Sequence, residues 1–321
     1  MTTAESDIAG TSDPASTIAP GRVHIERFDI SLGPWLHLAD ERQRLTNPQF
    51  HHIEVVPRGA TLGAEIRDVD LTNELADEAI EDIKRALADY KVIYFRKQPV
   101  TSGQHVAFAR RFGGLEVHPF ISSNEEHPEL VRFEKGADTG GFENGWHHDV
   151  TWREIPSMGA LLHAIQVPAT GGDTLFSDMG AAYDGLTGEW KARIDDLYAI
   201  HDYMLAFAQQ LPDAKKAEMR EKYPLVTHPV VRTHPVTGRK LIYVNGYFTS
   251  HIEGLGDDES REIIQHLLAQ AHILEYQYRM SWENDTIVFW DNAAVQHYAA
   301  SDYYPDVRIM ERASVVGTRP V

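Results

Sequence analysis

Short runs of apolar residues, many of them β-branched or aromatic, recur along most of the chain and are separated by turns rich in glycine, proline, asparagine and aspartate. Such runs between turn residues are typical of strands, whereas apolar positions three and four apart indicate helices. Strands are predicted over residues 53–57, 62–66, 91–95, 159–165, 174–176, 228–232, 241–245, 276–282, 287–292 and 308–316. Helices are predicted over 74–90, 102–112 and 258–270, with a mainly helical connection over 183–222.

Many short strands, few helices and no internal repeat favour one fold class. We expect a mainly β protein with flanking helices, built as a double-stranded β-helix, or jelly-roll, barrel. Residues 52–321 are predicted to form this single domain. Residues 1–20 are small and polar and contain prolines, a composition typical of a disordered tail.

Residues 21–51 are predicted to be an N-terminal extension whose packing the sequence leaves open. Its apolar residues could pack on the domain's own surface, at the mouth of the active site or on a neighbouring subunit. They are Val23, Ile25, Phe28, Ile30, Leu32, Trp35, Leu36 and Leu38.

Charge and composition narrow the classes of partner. The 321 residues carry a net charge of −18, which argues against nucleic acid and against an anionic membrane surface. An anionic small-molecule substrate is still allowed, because a local cationic pocket can override the global charge. The chain has no cysteine, which excludes disulfides and thiolate metal sites and is compatible with a reducing cytoplasm.

The sequence also leads to expectations about the location and the oligomeric state of the protein. The sequence has no apolar run of membrane-spanning length and no basic segment followed by an apolar one at its start. We therefore expect a cytoplasmic protein without membrane contact. We also expect a homo-oligomer, either a dimer or a tetramer.

The segment Trp146–Trp152 carries the first candidate chemistry. It is predicted to be a strand, which would place His147, Asp149 and Thr151 on one face. A histidine and a carboxylate two residues apart on one face can reach the same metal ion. With one histidine from a distant strand they would form the 2-His-1-carboxylate set of non-haem Fe(II) oxygenases.

Other His-x-carboxylate pairs occur in the chain, so such a pair alone is weak evidence for a metal site. Taken singly, each is more typical of a solvated strand or turn than of a metal site. These pairs are His24/Glu26, His52/Glu54 and His251/Glu253. What distinguishes the His147/Asp149 pair is the sequence that follows it.

Three features near the C-terminus complete the candidate site. His297 follows a predicted buried strand, and Arg308 and Arg312 lie four residues apart on a predicted strand, hence on one face. Buried arginines need anionic partners, and a guanidinium binds a carboxylate or sulfate with two parallel hydrogen bonds. The alternative is that either arginine is exposed or pairs with one of the chain's many carboxylates.

Five motifs occur one after another along the chain. They are Trp146-His147-x-Asp149, Gly171-Gly172-Asp173-Thr174, Trp290-Asp291-Asn292, Gln296-His297-Tyr298 and Arg308-Ile309-Met310-x-Arg312. In this order they resemble the taurine dioxygenase family, which consists of Fe(II)- and 2-oxoglutarate-dependent dioxygenases and includes alkylsulfatases and phenoxyalkanoate dioxygenases. The resemblance covers about residues 53–321. None of the other His-x-carboxylate pairs is followed by the same motifs.

The resemblance implies a role for each matched position. His147, Asp149 and His297 would bind Fe(II), and Thr174 and Arg308 would hold the distal carboxylate of 2-oxoglutarate. The pocket for the anionic substrate would be formed by His118, the backbone N–H of Val150, and Arg312. With O₂, the reaction would hydroxylate a substrate C–H bond and give succinate and CO₂. Collapse of the product to an aldehyde would follow where the hydroxylated carbon bears sulfonate, sulfate or ether oxygen.

Two departures from the family member that binds taurine concern the substrate. Ile121 replaces a tyrosine and suits a longer, more apolar substrate, whereas Glu143 replaces an asparagine and could meet an ammonium group. The predicted substrate is thus a small organic anion of the sulfonate, alkylsulfate or carboxylate class. An amine- or amide-bearing substrate, with hydroxylation, desaturation or C–N oxidation, is the alternative. A non-catalytic jelly-roll protein that binds metal or ligand is a third reading. In the anion pocket, His118 is expected to be protonated.

Overall fold

The fold is described from a computed structural model for residues 22–25, 27, 30–46, 48–137, 139, 143–208 and 211–321. The strands are β1 (Val23–Ile25), β2 (Ile30–Leu32), β3 (Glu54–Pro57), β4 (Ala64–Arg67), β5 (Val92–Phe95), β6 (Leu130–Lys135), β7 (Ser157–Gln166), β8 (Thr174–Asp178), β9 (Tyr198–His201), β10 (Val226–Pro229), β11 (Val231–Thr233), β12 (Lys240–Ile242), β13 (Thr249–Ile252), β14 (Gln277–Met280), β15 (Ile287–Asp291), β16 (Val295–Ala299) and β17 (Arg308–Val316). The helices are α1 (Leu38–Arg44), α2 (Asp77–Tyr90), α3 (Ser102–Arg110), α4 (Met179–Asp184), α5 (Gly188–Ile194), α6 (Met204–Phe207), α7 (Asp213–Lys222) and α8 (Asp257–Gln270), with a 3₁₀ turn at Leu274–Tyr276.

Two sheets form the centre of the described structure. The larger has the strand order β3-β4-β5-β15-β7-β17-β6, and all its neighbours are antiparallel except β4 and β5. The smaller has the order β14-β8-β16 and is antiparallel throughout. The expected mainly β protein with flanking helices is therefore confirmed. Among the described helices, none has the length and apolar character needed to span a membrane.

The central strand β15 shows why its sequence is continuously apolar. Side chains alternate across a strand, and both faces of β15 are covered. Ile287 and Phe289 pack into the core beneath α2 and α3, whereas Val288 and Trp290 pack into the core shared with the smaller sheet. Covered faces on both sides remove the alternation of polar and apolar residues that marks a half-exposed strand.

Strand β17 carries different chemistry on its two faces. Ala313 and Val315 pack into the core beneath α2 and α3. Met310 packs into the core on the other side, and Arg308 and Arg312 share its face by the strand's period of two. The predicted strand over 308–316 is therefore confirmed, and so is the shared face of the two arginines.

Several elements differ from the predictions. The segment Trp146–Trp152 is not a strand, because only His147 forms a bridge and residues 149–152 turn. The predicted helical connection over 183–222 contains the strand β9, which pairs with β10 and β13. Strands β6, β13 and β16 were not predicted. They are short and partly buried, and their partners come from distant parts of the chain.

The described part of the N-terminal extension packs on the surface of the chain's own domain. Leu38 is buried in a core that includes Tyr276, and the ring of Trp35 lies 5.2 Å from that of Tyr276. Glu41 of α1 accepts a hydrogen bond from the buried Lys91 at 2.7 Å. Of the three arrangements that the sequence left open, these contacts favour the first. The predicted tail over residues 1–20 lies outside the described residues.

Buried neutral histidines are expected to lower the free energy of unfolding as the pH falls. Burial lowers the pKa of His105 to about 3 and that of His228 to about 4, below the ordinary value of 6.5. In the unfolded chain both regain the ordinary pKa and take up protons first as the pH falls. The stability that they contribute is therefore fully present above pH 6.5 and is lost toward their folded pKa values. Each is expected to contribute a loss of about 2 kcal/mol between pH 7.5 and 5.

This expectation is checked by urea unfolding of the metal-free protein at pH 7.5 and 5.0. The free energy of unfolding should be lower at pH 5.0, and a His105→Asn variant should show a shallower decrease than the wild type. Equal free energies of unfolding at the two pH values would contradict the assignment of these histidines as neutral.

Candidate active site

Three buried side chains from distant parts of the chain converge on one point. His147 and His297 form an antiparallel bridge, with N–O distances of 3.1 and 2.9 Å in the two directions. The Nε2 atom of His147 lies 3.9 Å from Oδ1 of Asp149, and that of His297 lies 3.8 Å from Oδ2. One ligand atom from each residue lies within 4.8 Å of the others. This spacing allows all three to bind one metal ion.

The protonation of this set suits a divalent cation. Burial lowers the pKa of both histidines, so both imidazoles are neutral. The Nδ1 atom of His147 lies 2.8 Å from the carbonyl oxygen of Gly145 and donates to it, which leaves the Nε2 lone pair for a metal. Burial alone would raise the pKa of Asp149, but the charge of Arg312 holds it below its usual range. Two neutral imidazoles and a carboxylate fit Fe(II).

A turn, and not the predicted strand, brings Asp149 to this position. Val150 has a φ of 48°, in the left-handed region that β-branched residues rarely adopt. The side chain of Asn292 holds the turn, because its Oδ1 accepts from the N–H of Asp149 at 2.7 Å and its Nδ2 donates to the carbonyl of Asp149 at 3.0 Å. The sequence spacing predicted the right pair of residues, but the local geometry that serves them is different.

Arg308 is a buried cation without a hydrogen-bond partner for two of its nitrogens. Its side chain is almost fully enclosed, and neither Nε nor Nη2 is hydrogen-bonded within the described structure. Burial lowers the pKa of its guanidinium. Nearby in the same cavity, the Thr174 hydroxyl accepts a hydrogen bond from Trp282 at 3.1 Å. A buried guanidinium with free donors fits the carboxylate of a bound organic acid.

Arg312 is tied to the candidate metal ligand. Its Nη1 donates to both carboxylate oxygens of Asp149, each at 3.0 Å. Its Nε has no partner within the described residues. Arg312 can therefore orient Asp149 and still offer a donor to a second anion.

His118 is neutral in this structure, whereas the sequence led us to expect that a bound anion beside it would favour its protonated form. Its Nδ1 accepts hydrogen bonds from the backbone N–H groups of Phe120 at 3.2 Å and Ile121 at 3.1 Å, so its single proton lies on Nε2. Burial, with the charges of Arg312 and Arg153, lowers the pKa of His118 to about 3. The neutral ring still has one N–H to donate.

All the predicted site residues line one cavity of about 370 Å³. They are His118, Ile121, Glu143, His147, Asp149, Val150, Thr174, His297, Arg308 and Arg312. The lining also includes apolar side chains, among them Ile121, Leu205, Phe207 and Phe248. Glu143 lies 3.8 Å from the ammonium group of Lys135.

Comparison with known proteins agrees with this geometry. The profile of the family described as "Taurine catabolism dioxygenase TauD, TfdA family" matches residues 54–314. The chain belongs to this family. It is therefore an α-ketoglutarate-dependent dioxygenase, and its cofactors are Fe(II), 2-oxoglutarate and O₂.

Similar members of the TauD/TfdA family have been characterised. An α-ketoglutarate-dependent sulfate ester dioxygenase of Pseudomonas putida is 34% identical over 86% of this chain and 93% of its own length. An α-ketoglutarate-dependent 2,4-dichlorophenoxyacetate dioxygenase of Cupriavidus pinatubonensis is 34% identical over 75% of this chain and 90% of its own. The crystal structure of a taurine dioxygenase from Burkholderia xenovorans superposes with a TM-score of 0.73 at 32% identity, covering 84% of this chain and 91% of that one.

Two of the other His-x-carboxylate pairs, His52/Glu54 and His251/Glu253, form no metal site within the described part of this TauD/TfdA family member. Among the residues that the structure describes, His147, Asp149 and His297 are the one group of three or more with metal-binding spacing. His52 and His251 are exposed. Of the pair at 24 and 26, residue 26 lies outside the described residues.

Sequence reasoning missed several residues around the site. The ring of Tyr247 stacks on that of His147, with centroids 4.4 Å apart and planes within 5°. Asn292 was part of a motif, but its two hydrogen bonds to Asp149 could not be inferred from it. Tyr247 follows the predicted strand over 241–245, and nothing in its spacing pointed to the metal site. Leu205 and Phe207 of α6 lie in the stretch that was expected only to connect.

Proposed function

We propose that this dioxygenase hydroxylates a C–H bond of a small organic anion with an apolar body, of the sulfonate, alkylsulfate or carboxylate class. The products would be succinate, CO₂ and an alcohol. Where the hydroxylated carbon carries a sulfonate, a sulfate or an ether oxygen, the alcohol would collapse to an aldehyde and release sulfite, sulfate, or the alcohol or phenol of the ether. The observation that carries this proposal is the pair of buried arginines, Arg308 and Arg312, in the cavity that contains the candidate metal ligands.

The proposed roles follow the contacts of each residue. His147, Asp149 and His297 would hold Fe(II), which with 2-oxoglutarate and O₂ supplies an oxidant strong enough to take hydrogen from a C–H bond. Arg308 and Thr174 would bind the distal carboxylate of 2-oxoglutarate, which would give the unpaired guanidinium its anion. The apolar lining would exclude water from the reacting groups.

The prime substrate would lie in the same cavity. Arg312, the Nε2–H of His118 and the N–H of Val150 would contact its anionic group. Since the whole chain is strongly acidic, these donors must supply the local attraction. Ile121, with the other apolar side chains that line the cavity, would contact an alkyl or aryl body. Among the relatives are an alkylsulfatase of Acinetobacter baylyi and a sulfonate dioxygenase of Saccharomyces cerevisiae, which favours this substrate class.

Glu143 supports the second candidate, an amine- or amide-bearing substrate. It lines the cavity and could pair with an ammonium group. Its carboxylate already lies 3.8 Å from Lys135, which offsets part of its charge. This pairing favours the anionic class over the cationic one.

We further propose that the two central sheets are the walls of a double-stranded β-helix formed by residues 52–321, with residues 21–51 as a packed extension. Side chains from both sheets share one core, including Leu162 of β7, Phe176 of β8, Trp290 of β15 and Val295 of β16. A cytoplasmic location and a homo-oligomer, dimer or tetramer, are also proposed, and size-exclusion chromatography with light scattering tests the latter.

The substrate proposal is tested by succinate release across sulfonates, alkylsulfates, aryloxyacids and amines, followed by the variant Arg312→Met. At saturating Fe(II), kcat/KM for the best anionic substrate should fall at least about tenfold, because one partner of a charged contact is lost. A neutral substrate of matched shape should be affected less. Saturating metal is needed because Arg312 also orients Asp149. Preference of the wild type for the neutral substrate, or equal losses for both, would exclude the anion pocket.

A further inference from the structure

The side chain of Asn245 is a buried amide that contacts two separate segments next to the cavity, the turn at Thr151 and the loop at Tyr247 and Phe248. Its Oδ1 accepts hydrogen bonds from the backbone N–H groups of Tyr247 at 3.1 Å and Phe248 at 3.0 Å. Its Nδ2 donates to the hydroxyl of Thr151 at 3.0 Å. Asn245 is fully buried, so water does not compete for these bonds. One amide group thus joins residues nearly a hundred positions apart in sequence.

On one side, Asn245 contacts the turn that carries Asp149. Thr151 lies two residues beyond Asp149, and its hydroxyl is also hydrogen-bonded to Nδ1 of His201 at 2.9 Å. His228 donates from Nε2 to the carbonyl oxygen of Thr151 at 2.9 Å. Between Asp149 and Thr151 stands Val150, whose positive φ is unfavourable for a β-branched residue. Such a conformation persists only where the surrounding contacts hold it.

On the other side, Asn245 contacts the loop that carries Tyr247. The ring of Tyr247 stacks on the ring of His147 and lies against the backbone of Gly145, where an added Cβ would come within 2.5 Å of the tyrosine ring. Phe248 packs near Phe207 with ring centroids 6.2 Å apart, and both line the cavity. The Tyr247 loop therefore contacts a candidate metal ligand and the candidate substrate pocket.

We propose that Asn245 is a positioning residue that fixes the Asp149 turn and the Tyr247 loop relative to each other. It contacts neither the metal ligands nor the cavity directly, and it acts through Thr151 and Tyr247. Loss of its amide would let the two segments move independently, which would loosen Asp149 and the ring stacked on His147 together. This inference rests on the proposed metal site for its effect on binding, but its effect on the two segments does not.

The test compares Asn245→Ala and Thr151→Val with the matched control Thr151→Ser, which keeps the hydroxyl. In the metal-free proteins, hydrogen exchange of the backbone amides is measured over residues 146–153 and 245–249. Both segments should exchange faster in Asn245→Ala and Thr151→Val than in the wild type and Thr151→Ser. Equilibrium binding of Mn(II), used as a redox-stable probe, should weaken roughly tenfold in the same two variants.

The outcomes separate this inference from a purely structural role and from the proposed function. Faster exchange in only one segment, or a lower melting temperature with unchanged exchange and Mn(II) affinity, would overturn the inference. If Asn245→Ala does not fold, Thr151→Val decides alone, since it removes one hydroxyl and preserves the side-chain shape. If the wild type itself does not bind Mn(II), the proposed metal site is refuted. The exchange data would still test whether Asn245 fixes the two segments relative to each other.

Discussion

Replacing Asp149 with alanine is expected to abolish Fe(II) retention and succinate formation, the largest single effect that the structure implies. The carboxylate is the one anionic ligand of the candidate set, and it also pairs with the buried Arg312. The matched variant Asp149→Asn keeps the shape and one acceptor oxygen for Arg312 but removes the charge. Both variants should lose metal, and Asp149→Asn should lose less stability because the guanidinium keeps a partner.

Iron content after anaerobic reconstitution and succinate release from 2-oxoglutarate are the measurements. His52→Ala is a suitable control, since His52 belongs to an exposed His-x-Glu pair outside the cavity and should leave both unchanged. Full turnover in Asp149→Ala, or loss of iron in His52→Ala, would refute the assignment of the metal ligands.

Replacing Arg308 with methionine should raise the KM for 2-oxoglutarate at least about tenfold, because a charge-assisted pair of hydrogen bonds would be lost. The structure adds a second expectation. Without a bound acid, two of the Arg308 nitrogens have no partner among the described residues. Removal of this buried charge should therefore not lower the free energy of unfolding of the metal-free, ligand-free protein, and it should reduce the stabilisation that added 2-oxoglutarate gives.

The KM is measured by succinate release at saturating iron, and the stability by urea unfolding with and without 2-oxoglutarate. Arg319→Ala is the control, because Arg319 is an exposed arginine that pairs with Glu154. An unchanged KM for 2-oxoglutarate in Arg308→Met would place the distal carboxylate elsewhere in the cavity.

The parts of the fold that the sequence predicted are those with a strong local pattern. Strand β17 was predicted with its observed bounds, and its period of two correctly placed Arg308 and Arg312 on one face. The Asp149 turn was not predicted, because its conformation depends on Asn292, which is 143 residues away in sequence. Strand β9 was missed because four residues between helices carry too little periodicity to distinguish a strand from a connection.

The candidate site likewise contains residues that the sequence predicted and residues that it did not. Motif order was sufficient to predict three residues that the structure brings to metal-binding spacing, and to single out Arg308, which lines the same cavity. The neutral state of His118 was not predicted, because it depends on burial and on two backbone donors that no sequence pattern reveals. Asn245 and Tyr247 were not recognised for a related reason. Their importance lies in contacts with Thr151 and His147 that exist only in the folded chain.

The contact between α1 and Lys91 indicates which N-terminal residues belong to the packed domain. The match to the family profile starts at residue 54, after α1 has ended. Yet the ammonium group of Lys91 is enclosed by Glu41 of α1 at 2.7 Å and by Asp178 at 3.0 Å, and Asp178 ends the strand that begins with Thr174. A polypeptide trimmed to the family boundary would leave this lysine with one of its two counter-charges inside the protein. The packed unit of this enzyme thus extends beyond the part that matches the family profile.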